Sequence, residues 1–178
     1  MRRRRAFDDL ASTVYEPLQR YLLRRVDETT AQDVLADVLL VLWRRLADVP
    51  ADAALPWSYG VARRCLANSL RAAERQDQLV RKLATVRSAV PEAEEAFADL
   101  HLALAALSAE DRELLRLSAW EQLAPREIAV VLGCTPNAAS IRLHRAGKRL
   151  RRALEAGAGK DLDPGGQPGK RQRREAAR

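Results

Sequence analysis

From Phe7 to Leu154 the apolar residues recur at spacings of three and four, and no stretch alternates with period two. That periodicity suits helices and leaves no room for half-buried strands. Ala, Leu and Arg dominate, all good helix formers, and Pro50, Pro56, Pro91, Pro125 and Pro136 punctuate the pattern. The spacing predicts helices over about 7–26, 30–47, 56–75, 93–106, 109–120, 125–132 and 136–154. The expected fold class is all-α.

Charge divides this helical chain. The formal net charge is +7 over 178 residues. Arg2–Arg5 supply +4 and residues 157–178 supply +3, so residues 6–156 sum to zero. Inside that neutral body the sign alternates. Residues 6–62 carry −4, 63–87 carry +5, 88–121 carry −6 and 122–156 carry +5. Two acidic-then-basic units in tandem suggest two small helical domains, 7–78 and 98–156, joined by a flexible polar linker at 79–97. A basic extension, 1–6, precedes them. The Gly-, Pro- and charge-rich segment 157–178 is expected to be a disordered basic tail, and Arg2–Arg5 are expected to be disordered too.

Several classes are excluded. The longest run of large apolar residues, Val38–Trp43, is far short of the roughly 20 needed to span a bilayer. No apolar stretch follows the N-terminal arginines, so they do not read as a signal peptide. Cys65 and Cys134 form no CxxC, which argues against a disulfide framework or zinc cluster and fits a reducing cytoplasm. His101, His144 and the two cysteines show no ligand or nucleophile spacing. Glu94, Glu95 and Asp99 read as a solvated run rather than a catalytic dyad. No enzyme, metal or cofactor is expected.

Three stretches carry recognition chemistry. The first, Leu123–Arg151, reads as a helix–turn–helix. Pro125 suits a first helical turn, Gly133 a turn of positive φ, and Thr135 a cap ahead of Pro136. The second helix presents Asn137, Ser140, Arg142, His144, Arg145, Lys148 and Arg149 around a stripe of Ile141, Leu143, Ala146 and Leu150. Short polar groups at its start and bases further on suit a major-groove reader. The plainer alternative is a bundle hairpin with a solvated basic face.

The second stretch is helix 30–47, with Thr30 as expected N-cap and Asp33 three residues on. Val34, Leu35, Val38, Leu39, Leu42, Trp43 and Leu46 fill one half of the wheel, leaving Asp37, Leu40 and Val41 on the other. A small domain cannot bury both halves, so these three read as an apolar docking patch with an acidic marker. A fully central helix is the alternative. In the third stretch, Pro56–Arg75, Trp57, Val61, Cys65 and Leu66 form the expected buried stripe. Arg63, Arg64, Asn68, Arg71 and Arg75 form a basic flank suited to phosphates and base edges, or simply a solvated face.

In this order and spacing the chain resembles the extracytoplasmic-function (ECF, group 4) sigma factors of the sigma-70 family. "AQDVLADVLLVLWRR" (31–45) resembles the family's core-binding helix and "PWSYGVARR" (56–64) its promoter helix. The stretch from Leu107 to Leu154 resembles its C-terminal promoter-reading domain. The resemblance implies two helical domains, a σ2-like bundle and a σ4-like helix–turn–helix, in a dissociable subunit of bacterial RNA polymerase that is monomeric when free. It implies that Asp37, Leu40, Val41 and Trp43 dock the β′ clamp helices, and that σ4 sits on the β flap. Arg63, Arg64, Asn68, Arg71 and Arg75 would handle the −10 element, with loop 47–56 capturing a flipped base. Asn137, Ala138, Ser140, Arg142, Arg145, Lys148 and Arg149 would read the −35 element. Promoter DNA and core RNA polymerase are the implied partners, and an anti-sigma factor is a further candidate.

The match departs from the family where Arg64 replaces a frequent Asn and Ala138-Ala139 a frequent Thr-Val, which bears on base preference. Only Trp57 and Tyr59 stand near the melted strand as stacking aromatics, so base capture and basic contacts are expected to open it. The competing function is a stand-alone helix–turn–helix repressor acting as a homodimer, which would need neither the Asp37 surface nor the second basic helix. A purely structural adaptor bundle is the third reading.

Overall fold

The computed structural model describes residues 1–81 and 98–158; the tail beyond Ala158 and the linker beyond Arg81 lie outside them, whereas residues 79–81 and 157–158, expected in linker and tail, end α3 and α7. Among the described residues the chain is helical. The helices are α1 (Arg2–Leu23), α2 (Glu28–Arg44), α3 (Ala54–Arg81), α4 (Ala98–Ala105), α5 (Ala109–Ala119), α6 (Pro125–Leu132) and α7 (Pro136–Ala158). A 3-10 turn, Leu46–Asp48, follows α2. Helices α1–α3 pack on one another as an N-terminal lobe. Helix α7 packs against α4, α5 and α6 in a second lobe, and α6 lies along α3 to join the two.

In the first lobe α1 buries Val14, Leu18, Tyr21 and Leu22, and α2 buries Ala31, Val34, Leu35, Val38 and Leu42. From α3 come Tyr59, Val61, Ala62 and Leu66. Each fully buried large aliphatic stabilises the fold by about 1.5–3 kcal/mol.

Two helix starts differ from expectation. Helix α1 begins at Arg2, so Arg2–Arg5 are helical, not disordered. Arg3 Nη2 donates to the Trp43 carbonyl at 2.8 Å and its guanidinium lies 5.0 Å from the Trp43 ring centroid. Helix α2 is capped by Asp27 rather than Thr30. Asp27 accepts from the Thr30 backbone N–H at 3.0 Å and from the Thr30 hydroxyl at 2.8 Å. These bonds hold its carboxyl below the usual range. Because the cap lies three residues earlier than expected, the Thr30 N–H is itself one of the helix's free donors, and Asp27 satisfies it.

In the second lobe Ser108 caps α5, accepting from Asp111 N–H at 3.1 Å. Pro125 opens α6, and Glu127 accepts from Ala124 N–H at 2.8 Å. Gly133 closes α6 at φ +65°, and Thr135 accepts from Ala138 N–H at 3.2 Å to start α7. The expected apolar stripe on α7 is shifted. Ala139 and Ala146 are buried, whereas Ile141 is 44% exposed. Small residues occupy the close contact, and the larger Ile turns outward.

Arg25, just past α1, joins the lobes. Its side chain is only 4% exposed. Nε and Nη2 each donate to Glu113 at 3.2 Å, and Nη1 donates to the Tyr21 carbonyl at 2.7 Å and to Glu121 at 3.1 Å. The guanidinium stacks 3.6 Å from the Tyr21 ring centroid, and the Tyr21 hydroxyl donates to Glu113 at 2.9 Å. Arg24 adds a second contact to Glu121 at 2.8 Å. Burial alone would pull the Arg25 guanidinium down, but its acidic neighbours and the hydrogen bonds to Glu113 and Glu121 hold it above its ordinary value. Beside this cluster α3 approaches α6 at Gly60, where an added Cβ would lie 3.2 Å from the Val131 carbonyl oxygen.

Gly60→Val should therefore push α6 off α3. The obstruction is backbone, so the expected overpacking penalty of about 1–3 kcal/mol outweighs the few tenths gained in helix propensity. Urea unfolding should show the loss and small-angle scattering a larger radius of gyration; an unchanged profile in both would contradict this contact.

The tyrosines predict an alkaline limit. Burial, with Glu113 beside it, holds Tyr21 well above the usual phenol range. Burial and then the Glu121 charge push Tyr59 up to about 12. Unfolded, both titrate near 10, so above that pH the unfolded chain holds fewer protons than the folded one. Stability is then full below pH ~10 and falls above it, by about 1.4 kcal/mol per pH unit for each phenol. Urea midpoints at pH 9 and 11 should drop less for Tyr59→Phe than for the native chain.

Candidate nucleic-acid interface

Helix α2 has one buried and one outward face. Asp37 is exposed, Leu40 is 45% exposed and Val41 is half-buried against the core. Trp43 is at the edge of this face. Its ring meets Phe7 edge-on at 5.3 Å, and Arg3 covers its other side. Arg3 thus occupies part of the surface that the sequence assigned to Trp43.

Helix α3 exposes Arg63, Arg64, Asn68, Arg71 and Arg75. Arg71 is steered locally, donating to Asn68 Oδ1 at 2.7 Å and to the Ala67 carbonyl at 3.0 Å. Trp57 is half-buried, with the Arg45 guanidinium 5.5 Å from its ring centroid. Tyr59 is not available for base stacking. It is 3% exposed and packs on Tyr21 with ring centroids 5.1 Å apart. It lies one turn before Arg63, close to the same face of α3, and is withheld by burial against Tyr21 rather than by its direction. Burial, then the Asp37 charge, push the Cys65 thiol up, so it is not an activated thiolate.

Helix α7 exposes Asn137, Ser140, Arg142, His144, Arg145, Lys148 and Arg149, with Ala138 half-buried. Arg149 is already engaged: it ion-pairs with Asp111 of α5 at 2.5 Å. It braces α7 on its own lobe. Arg142, two turns earlier on the same face of α7, lies nearer the first lobe. With Arg63, Glu110, Glu113, Leu114 and Leu132 it lines a cavity of about 160 Å³ between the lobes. One residue from each candidate DNA-reading helix therefore faces the same small space, walled by two carboxylates.

Sequence reasoning missed an apolar surface on the second lobe. Leu102 is 70% exposed, Trp120 40% and Leu100 37%. Leu100, Leu104, Leu115, Trp120 and Leu150 surround a cavity of about 140 Å³ together with Arg116. Arg116 lies 5.4 Å from the Trp120 ring centroid, and its buried Nε has no acceptor among the described residues. Burial, then the Arg25 charge, pull its guanidinium down. The available signal was α4 itself, where leucines at 100, 102 and 104 cannot all face one core.

No helix among the described residues is long and apolar enough to cross a membrane, and none of their His, Cys, Asp and Glu side chains group as a metal site. Residues 97–155 match the sequence family described as Sigma-70, region 4. The RNA polymerase sigma factor CarQ of Myxococcus xanthus is 32% identical over 155 residues, covering 84% of this chain and 89% of its own length. The ECF RNA polymerase sigma factor SigL of Mycobacterium tuberculosis is 30% identical over 161 residues, covering 85% and 88%. The fold is shared with the sigma factor RpoE of Bartonella quintana, solved in complex with the anti-sigma factor NepR. That likeness has a TM-score of 0.62 at 21% identity, over 84% of this chain and 96% of the other. CnrH, solved with the cytosolic domain of CnrY, gives 0.51 at 21% identity, over 86% and 97%. With relatives at this identity along most of both chains, the chain belongs to the ECF sigma factors of the sigma-70 family.

Proposed function

We propose that this chain is a non-catalytic specificity subunit that binds core RNA polymerase and directs it to promoters. In this reading lobe 7–78 acts as σ2 on the −10 element and lobe 98–156 as σ4 on the −35 element. The observation that carries it is the presence of separate exposed surfaces on one chain: the Asp37–Leu40 face of α2, and basic flanks on α3 and α7. A repressor needs only the last of these. The apolar Leu100, Leu102 and Trp120 surface suits the β flap as partner of the second lobe. An anti-sigma factor is the third kind of partner; the RpoE–NepR pairing supports it by analogy of fold.

Elements at −10 and −35 lie about 25 base pairs apart, roughly 85 Å at ~3.4 Å per pair. Arg63 and Arg142, by contrast, share one cavity. Reading both elements therefore requires the lobes to part and the Arg25 cluster to break. Core polymerase supplies the compensating contacts.

Leu40→Asp should abolish capture by core polymerase, because it puts a charge on the docking face while leaving the buried face of α2 intact. Helicity by circular dichroism should stay unchanged; undiminished pull-down with core would remove α2 from the docking role. Core polymerase plus this protein, given a randomised template library, should yield transcripts preceded by two shared elements at fixed spacing. On the promoter so selected, Arg142→Ala should cost about 1–3 kcal/mol at one base position, or weaken all sequences alike if Arg142 meets phosphate. A footprint by the protein alone, equal to that with core, would favour the repressor.

A further inference from the structure

The end of the first lobe where α1 begins and α2 stops carries charge that the promoter surfaces do not use. Arg3 is spent on the structure, tying the first turn of α1 to the Trp43 carbonyl at the end of α2. Arg2, Arg4 and Arg5 share that turn. They are exposed, and their side chains make no hydrogen bond or ion pair with the described residues. The tie brings them to the end of α2 that carries Arg44, also exposed, and Arg45, which pairs with Asp48 at 2.8 Å. The acids on these segments are Asp8, Asp9, Asp48 and Asp52, fewer than the six arginines. Four cations in the first turn oppose the dipole of α1, so its own stability does not call for them.

We propose that Arg2, Arg4, Arg5 and Arg44 bind the phosphodiester backbone of the DNA strand held at loop 47–56. This rests on the promoter reading above and deepens it. The position argues for DNA. Arg45 links the cluster to the start of α3 through Trp57, and loop 47–56 follows directly on α2. Exposed guanidinium forks with no internal acceptor suit a run of phosphates. A membrane surface is disfavoured because Phe7, the nearest large apolar residue of α1, packs edge-on against Trp43, so the arginine turn carries little apolar surface beyond Met1.

The test is the triple variant Arg2→Gln, Arg4→Gln, Arg5→Gln in the full chain, with Arg3 retained to hold α1 in place. Holoenzyme affinity is measured against the selected promoter, with its −10 strand single-stranded, across a salt series. Three lost contacts should lower the slope of log affinity against log salt by about 2, and weaken binding roughly 100-fold at 0.1 M salt. A control fragment carrying only the −35 duplex should bind both proteins alike. An unchanged slope and affinity would overturn the proposal. So would loss of core capture by the triple variant, which would make the cluster a polymerase contact, or loss of binding to anionic vesicles with DNA affinity intact. If native holoenzyme fails to prefer the promoter over random DNA, the promoter reading itself falls, a result distinct from an unchanged slope.

Discussion

The buried Arg25 guanidinium is the constraint on which the arrangement of this molecule depends. It is taken out of water by both lobes at once, and a cation so placed is tolerable only if its donors are matched. Four donor contacts reach Glu113, Glu121 and the Tyr21 carbonyl, and the Tyr21 ring covers its face. Because Glu113 and Glu121 belong to the second lobe, the charge on α1 is satisfied only while the lobes are together. Such an ion pair fixes geometry more than it adds stability, since replacing buried charges by apolar groups is often neutral or favourable. Its character suits a contact that is specific when formed and open to competition.

The alternation of charge along the sequence acquires a structural meaning here. The acidic stretch 88–121 contains Glu110, Glu113 and Glu121, which face Arg63, Arg24 and Arg25 across the lobe boundary and border Arg142 within their own lobe. One block of carboxylates thus serves as internal counter-charge to bases from both lobes. DNA phosphate would take the place of those carboxylates at Arg63 and Arg142, a like-for-like exchange of anionic oxygen acceptors. On the promoter reading, the separation of the lobes and the engagement of DNA would be two sides of one exchange.

Much of this was legible in the sequence wherever the signal was local. Pro125, Gly133 and Thr135 mark the helix–turn–helix because each turn position demands its own backbone chemistry, and all three take the expected roles. The outward setting of Asp37 and Leu40 followed from the fact that α2 is apolar nearly all round. Errors arose where tertiary contacts overrode a local rule. Arg2–Arg5 read as a disordered charged end because they offer no apolar side chain to a core; a hydrogen bond to a carbonyl forty residues away ties that turn down. Tyr59 read as a stacking aromatic because the sequence does not say that Tyr21 waits beneath it. The Arg25–Glu113 pair, separated by 88 residues, left no pattern in either helix.

The same distinction bears on which basic residues read DNA. Charge and position on α7 do not separate Arg142 from Arg149, both exposed and both on the helix assigned to the −35 element. Their partners do. Arg149 is held by Asp111 within its own lobe, a contact that survives when the lobes part, so it remains a brace. Arg142 forms no ion pair with the described residues and borders Glu110 and Glu113 of its own lobe, in a cavity that Arg63 closes from the first lobe. Parting the lobes would open that cavity to solvent at Arg142 and leave Arg149 where it was. On the promoter reading, the bases that parting the lobes would uncover, Arg63 and Arg142, are the candidates for DNA contact, a criterion set by the fold and invisible in net charge.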